Sequence, residues 1–283
     1  MTFPLFAVGV STSRLSEIRD LGFTAARSFE VAVSPEEFVS ECRENGLDAM
    51  SRTNGAVWWT VQPDEPKFNG SEGTRIETVR LILDSREVRL LTARNAIPVC
   101  YVPGHYKEIL VDMVRACGTE VMLGSYGRRN GYPPQFTLWR PSCLTGELKC
   151  VALNCEHGNA EWFRWDLFTT LASGAKSIAI YRPHAIVSGS RKVIYVWEEF
   201  HTFVTANDRL LRSGTRTVQF VGSELYPEYQ IKNKDGTVVC TVPPQPRDQT
   251  VTWRLGYEWL GYEWCSIRVS GDYIETKSWR GMA

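Results

Sequence analysis

No sign of charge dominates this sequence: 32 Lys and Arg stand against 32 Asp and Glu over 283 residues. Nucleic acids and anionic membranes are held through an excess of cations, so neither is expected as a partner. No apolar run approaches the roughly 20 residues of a membrane-spanning helix, so no membrane span is expected. Histidine is scarce, with 4 scattered positions. The cysteines form no C-x-x-C pair and no Cys/His zinc spacing, so no metal is expected. The N-terminus, MTFPLFAVGV, lacks a basic segment and a small-residue cleavage site. No signal peptide is therefore expected, which leaves a cytoplasmic chain or one exported, or carried in a virion, after losing its signal. A Gly-rich phosphate fingerprint is missing after the first strand signal, so no nucleotide cofactor is expected either.

Aromatic residues, by contrast, are plentiful, with 10 Trp and 11 Tyr. Most must be core, because each ring buries a large apolar area. Any left at a cleft would suit the face of a pyranose. The 43% apolar and 23% charged content is ordinary for a globular chain, and the length fits one large domain with at most a small appendage. The eight cysteines, Cys42, Cys100, Cys117, Cys143, Cys150, Cys155, Cys240 and Cys265, read as buried thiols of a reducing compartment. Cys143 and Cys150 flank a short loop and are the one pair to check for a disulfide.

Through residue 214 the pattern alternates. Strand signals fall at 6–10, 23–29, 47–50, 57–61, 97–102, 121–126, 150–154 and 177–181. Helix signals fall at 13–21, 34–45, 74–95, 106–117, 160–173 and 192–213. In the second helix, Ser34 caps, Pro35 takes the first helical position and Asn45-Gly46 closes. Leu83 is expected on the apolar face of the third. Eight strands alternating with helices predict a parallel sheet closed as a (β/α)₈ TIM barrel, with a doubly wound open sheet as the alternative. Strands three and four are separated by about six residues, too few for a helix.

From residue 215 the segments become short, β-branched and alternating, with turn signals at Asp235-Gly236 and Ser270-Gly271-Asp272. The reading is a barrel over 1–214 and a small antiparallel β-rich appendage over 215–283. The appendage carries a tandem repeat, LGYEW, at Leu255–Trp259 and Leu260–Trp264. It reads as filling for a hydrophobic seam or as a sugar-stacking platform.

Barrels of this kind do their chemistry at the C-terminal ends of the strands. Those ends carry Arg27 on strand two, Asp64 and Glu65 on strand four, Tyr101 and His105 on strand five, and Tyr126 on strand six. Strand seven brings Asn154 and Glu156, and strand eight brings Tyr181, Arg182 and His184. Acids on strands four and seven lie across a barrel mouth from each other. Glycoside hydrolysis needs two such carboxyl groups, about 5–5.5 Å apart for retention and about 6.5–9.5 Å for inversion. One must stay protonated. A Glu beside an ionised Asp, walled by Trp58, Trp59 and Pro66, has two causes for a raised pKa: like charge and desolvation.

The stretch WWTVQPDEP resembles the fourth strand of the clan A glycoside hydrolases, whose Asn-Glu-Pro there supplies the acid/base. In CVALNCEHG, Glu156 matches the position of that clan's nucleophile. Arg27 and Tyr126 match its strand-two Arg and strand-six Tyr, and Tyr181 stands where an aromatic closes the sugar site. The run EWFRWDLFTTLASGAKSIAIY is similar to the helix-seven to strand-eight segment of bacterial barrels of this type. The resemblance spans residues 6 to about 213. It implies a retaining hydrolase acting on an oligo- or polysaccharide with no cofactor, with Glu65 and Glu156 catalytic. Arg27, Asp64, Tyr101, His105, Tyr126, Asn154 and Tyr181 would bind substrate. One position departs from the pattern: Asp64 replaces the clan's Asn and can only accept a hydrogen bond. An Asp-Glu pair also resembles the β-hexosaminidases, in which the Asp orients a 2-acetamido nucleophile. A third reading is a non-catalytic carbohydrate-binding or structural barrel.

Overall fold

The computed structural model describes residues 2–60, 80, 83, 84, 87, 90, 95–102, 118–124, 149–155, 160–172 and 175–213, together with the backbone of six strands between 215 and 280. Eight parallel strands close into a barrel in chain order: β1 (Leu5–Val8), β2 (Ala25–Arg27), β3 (Asp48–Ser51), β4 (Trp58–Thr60), β5 (Ile97–Val102), β6 (Glu120–Gly124), β7 (Cys150–Asn154) and β8 (Ser177–Tyr181). The first strand pairs with the last, Phe6 opposite Ala179, so the sheet has no edge and the open-sheet alternative falls.

Strands covered on both faces read as continuous apolar runs. Here LFAV, CVAL and IAI are such runs, and alternate residues part to opposite sides. Phe6, Met50, Trp58, Val99 and Met122 fill the barrel axis, and Ala25, Ala152 and Ala179 leave them room. Their neighbours Leu5, Ala7, Val151, Leu153, Ile178 and Ile180 face the helices.

The outer helices are α1 (Leu15–Asp20), α2 (Pro35–Glu44), α3 (Ala160–Ala172), α4 (His184–Val187), α5 (Arg191–Ala206) and α6 (Asp208–Ser213). Residues 80, 83, 84, 87 and 90 are helical too, but Leu83 is 41% exposed rather than on a buried face. The helix expected at 106–117 lies outside the described residues. In α2 the Ser34 hydroxyl accepts from the Glu37 amide, and Phe38, Val39 and Cys42 are buried. The helix ends where Gly46 takes φ +71° and the Leu47 amide reaches back to the Cys42 carbonyl, a closure that needs a left-handed residue.

Beyond 190 a single helix was expected. The structure divides it at Asn207, whose amide side chain turns back to the Phe203 carbonyl and competes with the helical pattern. In α5, Trp197 donates its indole N–H to the Leu21 carbonyl at 2.7 Å and stacks on Phe23 at 4.4 Å. The last long helix thus packs on the segment between the first two strands.

Residues 52–57 cross from β3 to β4 without a helix. Parallel strands ordinarily need a dozen or more residues for this step. The short crossing works because it leans on α2: the Thr53 hydroxyl bonds the Glu36 carboxylate. Gly55, at φ +87°, comes so near that a Cβ there would lie 3.3 Å from Val39 Cγ1.

Among the described residues, Cys42, Cys100, Cys150 and Cys155 are buried free thiols. The disulfide considered between Cys143 and Cys150 is therefore not formed. Burial pushes the Cys150 thiol up to about 12. From 215 onward six strands make two three-stranded antiparallel sheets: β9 (Thr215–Val221), β10 (Tyr226–Asn233) and β11 (Gly236–Thr241), then β12 (Val251–Arg254), β13 (Glu263–Ser270) and β14 (Tyr273–Arg280). Of the LGYEW repeat, residues 255–262 lie outside the described residues and Trp264 pairs with Trp279 in β13–β14. No helix among the described residues is long and apolar enough to cross a membrane.

Candidate functional site

The strand register sets the site. Asn154 lies opposite Tyr181, Tyr181 opposite Val8, and Val8 opposite Arg27. Four consecutive strands therefore contribute one residue each to a single row at the C-terminal rim. Alternation aims them all inward, since Leu153, Ile180, Ala7 and Ala26, one residue earlier in each strand, face the helices. Neighbouring strands lie about 4.8 Å apart, so the Cα atoms of Arg27 and Tyr181, two strands apart, are about 10 Å from each other.

Tyr101 joins them from β5. It packs on the axial cluster, and its ring leans over Gly124 of β6. Gly124 is inward-facing and has no side chain to obstruct that ring. Four of the expected site residues, Arg27, Tyr101, Asn154 and Tyr181, thus share one barrel mouth. Asp64, Glu65, His105, Tyr126 and Glu156 lie outside the described residues. The chain runs into each of these stretches from the same rim, after Thr60, Val102, Gly124 and Cys155.

Two further residues, Phe29 and Arg182, stand at this rim. Arg27 lays its guanidinium on the Phe29 ring at 4.8 Å, and Arg182 lays its own on Tyr181 at 5.2 Å. The two rings are 6.1 Å apart. Phe29 is 46% exposed, which is high for a large apolar side chain. Gly9 lets them meet: it holds φ +78°, and a Cβ there would stand 3.1 Å from Phe29 Cδ2 and 3.4 Å from Arg182 Cγ.

Arg182 itself has φ +48°, a conformation that costs a non-glycine residue roughly 1–2 kcal/mol. Three bonds hold it there. Its amide donates to the Val8 carbonyl at 2.7 Å, and its carbonyl accepts from the His184 amide at 2.7 Å and the Cys155 thiol at 3.6 Å. The only sequence signal for Arg182 was its place directly after a strand end. Backbone strain of this kind is invisible to composition.

Glu30, the acid nearest Arg27 in sequence, is turned to another task. It accepts from the Ser11 hydroxyl at 2.6 Å and from the Thr12 amide at 3.0 Å and hydroxyl at 3.1 Å. These bonds, the Ser11 one foremost, hold its carboxyl below the ordinary range. It ties the loop after β1 to the loop after β2. No group of three or more His, Cys, Asp or Glu among the described residues could hold a metal ion.

No family model matches the sequence, and no curated protein matches it. Solved structures resemble it in shape. An Anoxybacillus alpha-amylase shares 9% identity at a TM-score of 0.47 and covers 98% of this chain and 95% of its own. A thiamine phosphate pyrophosphorylase from Pyrococcus furiosus shares 12% at 0.43, covering 71% of this chain and 95% of its own. Alpha-L-fucosidase isoenzyme 1 from Paenibacillus thiaminolyticus shares 10% at 0.34, covering 92% and 71%. At these identities and TM-scores the likeness says nothing of this chain's chemistry, and the proteins involved include glycosidases and a pyrophosphorylase alike.

Proposed function

We propose that this chain is a glycoside hydrolase working by retaining double displacement, with its active site at the C-terminal rim of a barrel spanning 1–214 and the 215–283 segment as an appendage. The carrying observation is the inward row Arg27, Asn154 and Tyr181, with Tyr101 across from it, on the rim where β4 and β7 end. Those two strands lead into Asp64-Glu65 and Glu156.

In this reading Glu65 protonates the glycosidic oxygen as Glu156 attacks the anomeric carbon. The bond to the leaving group breaks and a glycosyl ester forms on Glu156. Water then attacks that ester, Glu65 takes its proton, and Glu156 leaves as carboxylate with the anomeric configuration retained. Arg27 and Tyr126 keep Glu156 ionised and aimed. Asp64, His105, Asn154, Tyr101 and Tyr181 shape the sugar subsite, the last two through ring faces.

General acid assistance of this kind is worth about 10²–10⁴ in rate. Glu156→Gln is expected to abolish hydrolysis of chromogenic glycosides with the fold intact by circular dichroism, and NMR of the first product is expected to show the starting anomer. Full activity in that variant refutes the assignment of the nucleophile. The Asp64-Glu65 adjacency favours one other mechanism, in which Asp64 orients a substrate 2-acetamido group as nucleophile. Its signature is that Glu156→Gln leaves N-acetylhexosaminide cleavage unchanged while Asp64→Asn abolishes it.

A further inference from the structure

We propose that residues 29–32, in the turn after β2, form an apolar lip at the barrel mouth that takes the aglycone of the substrate. The substrate is then a sugar joined to an apolar group, and not one unit of a long polysaccharide. The inference rests on the glycosidase reading for the word aglycone; the apolar character of that group is argued from the structure.

The first ground is placement. Phe29 follows two residues after Arg27, the end of β2. Its ring centroid is 6.1 Å from that of Tyr181, a member of the inward row. The lip therefore continues the rim surface. The second ground is exposure. Val31 is 100% exposed, and Phe29 and Ala32 are exposed beside it. Apolar side chains gathered at one exposed place mark a binding surface, whereas single ones do not.

The third ground is anchorage. Apolar residues on a loose loop would carry no meaning, but this turn is tied on every side. The Glu30 carboxylate accepts from Ser11 and Thr12, and its amide donates to the Ser28 hydroxyl at 3.0 Å. Gly9 seats one edge of the Phe29 ring, since a Cβ there would stand 3.1 Å from both Cδ2 and Cε2. Val33 packs against the buried core. Phe29, Val31 and Ala32 are thus held out at the mouth between fixed points, and a ligand that meets them has little chain to order.

The fourth ground is chemistry. A saccharide chain is held by hydrogen bonds as well as by ring faces, and Val31 and Ala32 have no side-chain donor or acceptor to offer. Glu30, the one charged residue of the lip, is turned to Ser11 and Thr12. What remains suits apolar atoms. A lipid bilayer is apolar too, but Glu36 and Glu37 stand exposed in the first turn of α2, a few residues on, and acids there oppose docking on an anionic membrane. An aglycone needs no large apolar area of its own. It is joined to the sugar, so binding at the rim delivers it to the lip at high local concentration.

The test is calorimetric titration of the full chain with the octyl and methyl β-glycosides of glucose, galactose and N-acetylglucosamine, the octyl members kept below their micelle concentrations. Burying one methylene is worth about a factor of four in affinity. Two or three methylenes at the lip therefore give about fifteen- to sixtyfold, and the octyl member of at least one pair is expected to bind tighter by that factor. Phe29→Ala is expected to remove about tenfold of the octyl affinity and Val31→Ser about fourfold, both leaving the methyl glycosides unchanged. Val31 is fully exposed, so its replacement leaves the fold untouched and separates lost binding from lost folding. Val31→Leu is expected to tighten octyl binding.

Equal affinity within every pair, undiminished octyl affinity in Val31→Ser, or no binding of any probe overturns the inference. So does Val31-dependent binding to phosphatidylcholine vesicles without an octyl preference, which would make the lip a membrane contact. Hydrolysis of octyl and methyl glycosides at equal kcat/KM sinks it and leaves the hydrolase standing. Val31-dependent octyl binding without cleavage of any glycoside does the reverse.

Discussion

Replacing Gly124 by alanine tests whether Tyr101 lies across the barrel mouth. A Cβ on Gly124 would stand 2.9 Å from Tyr101 Cζ and 3.2 Å from Cε2, with the phenol oxygen nearer still. Carbon atoms rest about 3.5–4.0 Å apart, so the ring must retreat by roughly 0.6–1.1 Å. Behind it lies the packed axial cluster of Val99, Met122 and Trp58, which yields little. Overpacking of this kind costs about 1–3 kcal/mol. Tyr101→Phe alone removes a buried hydroxyl that makes no hydrogen bond and is expected to be nearly neutral.

In the double variant the new methyl takes space that the hydroxyl held, and the ring retreats less. The pair is therefore expected to lose less stability than the two single changes added together, by about 0.5 kcal/mol or more. Urea unfolding of the four proteins measures this, provided the m-values agree. If the losses add within about 0.3–0.5 kcal/mol, the two residues do not touch and Tyr101 does not line the mouth.

Two other outcomes follow from the packing. Ser34→Ala removes the hydroxyl that accepts from the Glu37 amide at 3.1 Å and is expected to cost about 1 kcal/mol in urea unfolding, the typical loss for such a cap. His201, half-buried on α5 beside Gly22 and 3.5 Å from the Thr205 hydroxyl, has its pKa lowered by burial from 6.5. Its folded form binds fewer protons than the unfolded chain, so its contribution is present above that value and is lost as pH falls below it through the lowered one. Melting temperatures taken from pH 8 to pH 5 should fall more steeply in the wild type than in His201→Asn, and equal slopes would refute the assignment.

Much of the barrel was legible from residue order. The strands read at 97–102, 150–154 and 177–181 have those same bounds in the structure, because a strand buried on both faces must be a bounded apolar run. Helix α2 was legible at both ends, because a Ser-Pro start and an Asn-Gly stop answer a local need for hydrogen-bond partners. The break at Asn207 and the exposure of Leu83 were not, since they depend on what each face meets rather than on its period. The rim residues Arg27, Tyr101, Asn154 and Tyr181 were found by their place at strand ends, whereas Arg182 and Phe29 lacked any assigned role until their rings and guanidiniums were seen stacked.

The sequence by itself determined the local elements and their order, because apolar runs, caps and turns act over a few residues. Tertiary structure alone decided that β1 meets β8, that Asn154, Tyr181, Val8 and Arg27 fall in one row, and that Arg182 is held left-handed against Tyr181. Closure fixes those relations by choosing a register among residues up to about 170 positions apart, and no pattern within a single strand encodes that choice.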